Sequence, residues 1–344
     1  MDQPPRKRVS LIVPCCNEAG VLDAFLARVN AVRAGLGAYT FEVLFIEDGS
    51  TDDTWAALCA VAALDPSVRA VRLSRNFGHQ RALAAGLDFC TGDYGIILDA
   101  DLQDPPELIP VILEQLEAGA DVVHTVRTDR RVDSAFKRLS AAFMYAFLRR
   151  WVLPELPRNA GLYKGFNARA LGALRQYRER VRFLRGIFAT LGFRQAVVPY
   201  ARETRRGGQT KYHLRNMVRL ARDAVVSNSV LPLRAGLYLG LAVLVAWPVL
   251  AAAGLLRWYA GRLETPALWA VAGLVWGFGG LTLVMLGAVG EYLKCIVLEV
   301  KQRPLYIVEE TRNLPETDVE PRAAAPGSGS PGRGAHSGEG DAGE

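Results

Sequence analysis

A chain of 344 residues with 50% apolar content and a net charge of +6 has room for one soluble domain and a further, more apolar part beside it. Its basic residues cluster next to the most apolar segments without interleaved aromatic stacking groups, which points to anionic lipid headgroups and phosphates and argues against nucleic acid. The five cysteines, at 15, 16, 59, 90 and 295, have neither metal-ligand nor paired spacing and read as small buried hydrophobes or incidental thiols.

In chain order, residues 9–13 form a short apolar run ended by Pro14, a first strand. Leu22, Phe25, Leu26 and Val29 give residues 21–32 helical spacing. A second apolar strand over 41–46 closes on Glu47-Asp48-Gly49-Ser50, and 51–63 reads as a helix. A third strand at 68–73, a helix at 82–89 and a fourth strand at 94–98 follow, then a helix through Leu116 and a strand at 122–126. This alternation predicts an α/β fold with a mainly parallel, doubly wound sheet whose ligand loops lie at one edge. Two basic amphipathic helices are expected at 134–151 and 214–225, the second lying on a membrane surface.

Residues 235–256 and 267–289 are uncharged runs of about the ~20 residues that cross a bilayer, and a short link makes them a hairpin. Arg202, Arg205, Arg206, Lys211, Arg215, Arg219, Arg222 and Arg234 precede the first span, and Lys294, Lys301 and Arg303 follow the second. The link holds Arg257 and Arg262, so the N-terminal domain and the C-terminal segment are expected on the cytoplasmic side of a multi-pass inner-membrane protein. Arg6-Lys7-Arg8 leads into an apolar run that breaks at Pro14, unlike a signal peptide. The Gly-, Ser-, Ala- and Pro-rich tail from Arg322 onward is expected to be disordered.

The most informative stretch is Ile96-Ile97-Leu98-Asp99-Ala100-Asp101-Leu102-Gln103-Asp104-Pro105-Pro106-Glu107. Two carboxylates one residue apart at a strand's end supply hard oxygen ligands for Mg²⁺ or Mn²⁺ with a diphosphate, at the sheet edge where α/β proteins bind ligands. Asp104 with the prolines after it reads as a helix start. The loops after the first and second strands converge on the same edge, where Asp48 suits a nucleobase or ribose and Gly49 permits close backbone approach. No G-x-G-x-x-G or Walker lysine loop stands in a strand-to-helix context, which argues against a dinucleotide oxidoreductase or an ATPase.

Pro14-Cys15-Cys16-Asn17-Glu18, Glu47-Asp48-Gly49-Ser50-Thr51-Asp52, Ser74-Arg75-Asn76-Phe77-Gly78-His79-Gln80, the aspartate stretch, Gly207-Gly208-Gln209-Thr210-Lys211-Tyr212 and Arg303-Pro304-Leu305-Tyr306 occur in this order. Together they resemble the polyprenyl-phosphate glycosyltransferases, GT-A-fold family 2 enzymes of the dolichol-phosphate mannose synthase type, and the bacterial two-span members in particular. The resemblance covers about residues 9–308. It implies inverting transfer of one sugar from a UDP- or GDP-sugar to polyprenyl phosphate, with membrane lipids, a flippase and a second copy of the chain as further expected partners. Pro14, Glu18, Ile46 and Asp48 would hold the nucleoside, and Asp99, Ala100, Asp101 and Gln103 the metal and diphosphate. Arg205 and Lys211 would close over the diphosphate, and Arg127 and Arg138 would meet the lipid phosphate. The implied organisation is a GT-A domain at 1–212, a juxtamembrane helix at 213–233, two spans at 234–291, a cytoplasmic segment at 292–311 and a tail at 312–344.

Two departures stand out. Cys16 occupies a position where an aromatic is common. Gly161-Leu162-Tyr163-Lys164 replaces Gly-Asp-Phe-Arg, so a carboxylate near the acceptor is missing, while Lys164 keeps a basic residue expected to meet a phosphate. A scaffold that retains the fold, or a processive polysaccharide synthase, are the competing readings. Phe147-Leu148-Arg149-Arg150-Trp151 lacks the Gln of a synthase's Gln-x-x-Arg-Trp signature, and two spans hardly make a polymer channel. His79 has no evident task beyond a structural hydrogen bond.

Overall fold

In the computed structural model, residues 6–128, 160–179, 182–201 and 266–314 are described, together with isolated positions between 150 and 260. The first half alternates as expected: β1 (Lys7–Cys15), α1 (Leu22–Ala34), β2 (Tyr39–Glu47), α2 (Thr54–Leu64), β3 (Val68–Leu73), α3 (His79–Phe89) and β4 (Tyr94–Ile97). A short 3₁₀ turn (Pro106–Leu108) enters α4 (Ile109–Glu117), and β5 (Val122–Arg127) follows. Beyond it lie β6 (Ala160–Asn167), α5 (Ala168–Gln176), α6 (Leu184–Thr190), β7 (Gln195–Tyr200), a long α7 (Pro266–Val300) and β8 (Val308–Arg312).

The strands form one eight-stranded sheet in the order β7-β5-β6-β4-β1-β2-β3-β8. β1 pairs in parallel with both β2 and β4, as do β2 with β3 and β5 with β7, whereas β6 and β8 run antiparallel to their neighbours. Both faces are covered. Leu11, Val13, Phe45 and Ile96 point into one core with Phe25 of α1, and Ile12, Leu44, Ile46 and Ile97 point into the other with Leu83 of α3. Burial on two sides is why these strands read as unbroken apolar runs. α3 lies close to the sheet because Gly86 has no side chain, and a Cβ there would collide with Ile12 Cγ2. Since β1 has β2 on one side and β4 on the other, the chain changes winding direction at β1. Ligands enter such sheets at that crevice, outside the carboxyl ends of the strands.

β8 lies at one edge, antiparallel to β3, and closes the sheet with residues from the far end of the chain. Leu305 and Tyr306 are buried, and the Tyr306 hydroxyl donates to Asp88 Oδ2 at 2.8 Å. Trp55 Nε1 donates to Glu310 Oε2 at 2.9 Å, and Asn313 Nδ2 donates to the carbonyls of Ala62 (2.6 Å) and Val68 (2.8 Å). The expected boundary of the tail at 312 therefore falls inside an anchored segment. Val308–Arg312 (VEETR) offers no apolar run, because an edge strand keeps its charges in water.

α7 runs to Val300, past the end expected for a second span at 289. Glu291 and Lys294 pair across one turn at 3.3 Å, and no proline interrupts the helix before Pro304, so nothing stops it earlier. Its segment Gly277–Val300 is apolar and long enough to cross a bilayer, and none of its residues is fully buried. Leu283, Leu286, Leu293 and Val300 are all exposed. Gly236, in the first expected span, sits against this helix, for a Cβ there would collide with the Met285 side chain. The amphipathic segments at 134–151 and 214–225 lie outside the described residues, apart from Arg150.

Candidate active site

The loops after β1 and β2 are hydrogen-bonded to each other. Asn17 takes a left-handed backbone (φ 58°), which Asn tolerates better than most residues. Its Oδ1 accepts from Thr51 N at 2.8 Å, while its own N–H donates to Ser50 Oγ at 3.0 Å and that of Glu18 to Thr54 Oγ1 at 3.0 Å. The two sequence motifs thus build one rigid wall.

Asp48 is buried, and its two carboxylate oxygens accept from the backbone N–H groups of Phe77 (2.7 Å) and Gly78 (2.8 Å). The carboxylate fastens the Arg75–Asn76–Phe77 turn to the β2 loop. The turn passes directly over Gly49, whose φ is 62°. A Cβ at Gly49 would collide with Asn76 N and stand 2.9 Å from Arg75 Cα.

These loops and the end of β4 enclose a cleft of about 320 Å³. Pro14, Cys16 and Glu18 line it from β1, Asp48 and Asn76 from the braced turn, His79 from the start of α3, and Asp99, Ala100 and Asp101 from beyond β4. Asp99 Oδ1 is buried with no hydrogen-bond donor among the described residues, and His79 Nε2 stands 3.7 Å from it. Asp101 Oδ1 accepts from Gln103 N at 3.1 Å, folding the loop back on itself. Leu102, between them, has a left-handed φ of 58° and a buried side chain.

Of the residues expected at the site, Pro14, Glu18, Asp48, Asp99, Ala100 and Asp101 share the lining of this cleft. Ile46 does not, being fully buried in the core under α3. Gln103 lies beside Asp101 outside that lining. Arg127, expected at a lipid phosphate, is held in a network: its Nε donates to the Tyr200 hydroxyl at 3.0 Å, and its Nη2 stands 3.5 Å from Asp104 Oδ1. Arg138, Arg205 and Lys211 lie outside the described residues. Cys16, Asn76 and His79 are among the lining residues that were not expected there. Cys16, read as an incidental thiol, and Asn76 hydrogen-bond each other at the rim (Asn76 Nδ2 to Cys16 Sγ, 3.2 Å), and His79 faces Asp99. The available signal for His79 was its place directly after Gly78, whose positive φ (94°) starts the helix.

A model of glycosyl transferase family 2 matches residues 10–175. An uncharacterized glycosyltransferase of Synechocystis sp. is 34% identical over 312 residues, which cover 91% of this chain and 98% of that one. The bactoprenol glucosyl transferase of Shigella phage SfII is 34% identical over 313 residues, covering 88% of this chain and 98% of that one. The chain belongs to glycosyltransferase family 2. Among solved structures, a mannosyltransferase from Pyrobaculum calidifontis in complex with GDP-Man and Mn²⁺ aligns over 84% of this chain and 87% of that one, at 21% identity and a TM-score of 0.45. This family 2 glycosyltransferase has the GT-A architecture that the resemblance implies, with the mainly parallel sheet that the order of elements predicts.

The glycosyltransferase does not place Lys164 at a phosphate. The side chain is fully buried, its Nζ lies 2.5 Å from His124 Nδ1, and it sits 5.4 Å from the centre of the Phe188 ring. His124 Nε2 in turn pairs with Gln195 Oε1 at 2.8 Å. Burial, reinforced by Arg185, lowers the Lys164 pKa to about 7, and burial with Lys164 nearby lowers that of His124 to about 3. Between pH 7 and 10.5 the unfolded chain therefore binds more protons at Lys164 than the folded one. Stability rises with pH across that window, and the full penalty is present below it. The melting temperature of the wild-type enzyme is expected to climb from about pH 7 to about pH 9.5. Lys164→Met should flatten the climb and add ~1–3 kcal/mol at pH 7. An unchanged slope in the variant would assign the pH dependence to other groups.

Proposed function

We propose that this glycosyltransferase transfers one sugar from a nucleotide-diphosphate sugar to polyprenyl phosphate, with inversion and with a divalent metal, at the cytoplasmic face of the membrane. The observation that carries this reading is the convergence of Asp99 and Asp101 with Glu18 and Asp48 around a single cleft. Full-length similarity to proteins named bactoprenol glucosyl transferases supports the acceptor class.

The donor set suits a hard cation. Asp99 presents a buried oxygen without a donor among the described residues, an arrangement that costs free energy until something positive meets it. Among the described residues no three His, Cys, Asp or Glu side chains stand close enough together to hold a metal ion by themselves, so diphosphate oxygens and water would complete the shell, as is usual for Mg²⁺. The bound metal would neutralise charge on the leaving diphosphate. The chain's own residues do the rest. The interlocked β1 and β2 loops give the nucleoside a fixed wall, and Arg205 and Lys211 would add positive charge over the diphosphate.

The nucleophile in this reading is a phosphate monoester whose second pKa is about 6, so it is already mostly ionised at neutral pH. This suits a chain in which Leu162, buried in β6, stands in the segment where the family resemblance implies a carboxylate. No strong general base is needed, and position matters more. The exposed apolar face of α7, with Gly236 against it, supports a helical hairpin in the bilayer.

A panel of UDP- and GDP-sugars offered with undecaprenyl phosphate in detergent tests the reading. One donor should release nucleotide diphosphate only when lipid phosphate is present, EDTA should abolish release, and Mn²⁺ or Mg²⁺ should restore it. Release that persists in EDTA, or a product longer than one sugar, would contradict it.

A further inference from the structure

We infer that Tyr200 and Asp104 are positioning residues that aim the 99–103 loop at its metal and hold Arg127 at the same edge. This rests on the reading of that loop as a metal site. The loop carries a cost: a non-glycine residue in the left-handed region, as Leu102 is, persists only where its surroundings over-determine it. Two anchors do so. The Leu102 side chain is buried in the core on one side. On the other, Asp104 is 1% exposed, and the next residue, Pro105, offers its carbonyl to the Tyr163 hydroxyl at 2.9 Å. Leu102 and Asp104 both turned inward leave Asp101 and Gln103 turned out.

The second anchor is built by the sheet. Arg127 and Tyr200 are register partners across β5 and β7, so their side chains leave the same edge side by side. The Tyr200 hydroxyl donates to Asp104 Oδ1 at 2.5 Å and accepts from Arg127 Nε at 3.0 Å, which gives the phenol one donor role and one acceptor role. Burial and the Asp104 carboxylate push the Tyr200 pKa up to about 12, so the donor stays protonated at any working pH. Burial opposes the charge on Arg127, yet Asp104 and Tyr200 hold its proton more tightly than usual. Its side chain, 24% exposed, is the part of this network that reaches solvent. Tyr163 packs edge-on against Tyr200 with ring centres 5.9 Å apart, so removing the hydroxyl leaves the ring seated.

Tyr200→Phe is therefore the informative change. In full-length protein in detergent, Mn²⁺ binding is measured directly by the electron paramagnetic resonance signal of the free ion, with UDP and separately with GDP. Asp101→Asn and the wild type are run beside it. The expected result is loss of Mn²⁺ binding in Asp101→Asn and a weakening of about tenfold in Tyr200→Phe, the effect typical of residues that orient metal ligands. The Tyr200→Phe melting temperature should hold within a few degrees, and saturating Mn²⁺ should recover most of its turnover. If Asp101→Asn loses the metal but Tyr200→Phe binds it like the wild type, the network only holds the fold and the inference is overturned. If Asp101→Asn binds Mn²⁺ normally, or the wild type binds none with either nucleotide, the metal-site reading fails and the inference fails with it. Should Tyr200→Phe not fold, Asp104→Asn takes its place, and the same Mn²⁺ measurement decides between the same outcomes.

Discussion

Asp101→Asn is expected to lower turnover by at least ~10²-fold, about 2.7 kcal/mol of transition-state stabilisation, with little change in melting temperature. The separation of the two effects follows from geometry. The Asp101 side chain accepts the Gln103 N–H at 3.1 Å, and an asparagine oxygen accepts that bond equally well. What Asn cannot replace is the second negative charge of the Asp99–Asp101 pair. Initial rates at saturating donor and Mg²⁺, together with a thermal melt, check both halves. Near wild-type turnover would remove Asp101 from the metal site.

Gly49→Ala should lower affinity for the nucleotide diphosphate by about tenfold or more, for a backbone reason. Any side chain at 49 meets the main chain of Arg75 and Asn76, which cannot rotate away as a flexible side chain could. Alanine also loses roughly 1 kcal/mol in adopting the left-handed conformation. The turn must withdraw, and Asp48 then loses the N–H groups of Phe77 and Gly78 that hold both its oxygens. Two buried, charge-assisted hydrogen bonds are at stake, each worth about 1.5–3 kcal/mol. Calorimetric titration with UDP and GDP reads the change, with Gly37→Ala as a control at a position where a Cβ meets nothing within 4 Å. Binding as tight as that of the control would show that the turn adapts and that Asp48 bracing is dispensable.

How much of this could be read from the sequence depends on burial. β1, β2 and β4 were legible because strands covered on both faces carry unbroken apolar runs, and β3 (VRAVRL) and β5 (VVHTVR) keep enough of that pattern to be read. β6 was not: Ala160–Asn167 (AGLYKGFN) contains two glycines and a buried lysine. One glycine is required by packing, since a Cβ at Gly165 would collide with Ile112. β7, with Gln195 and Pro199, and the charged β8 failed the same test for want of apolar pattern. At the site, residue type and loop position brought Asp99, Asp101, Glu18 and Asp48 to one cleft. They did not reveal that the oxygens of Asp48 serve the protein's own backbone. The partners of Arg127 were equally hidden. Tyr200 lies 73 residues away in sequence, and pairing between distant strands leaves no local signature.

The closing strand also fixes an order of events during synthesis. Trp55 waits for Glu310, 255 residues downstream, and the free edge of β3 stays unpaired until Val308–Arg312 has left the ribosome. A chain emerging at roughly 5–20 residues per second from its N-terminus has by then already produced the whole of α7. No copy can complete its sheet before this long apolar helix exists. The last piece to fold thus certifies the piece before it, and a nascent chain cut short anywhere in α7 keeps an open, aggregation-prone edge that quality-control machinery can recognise.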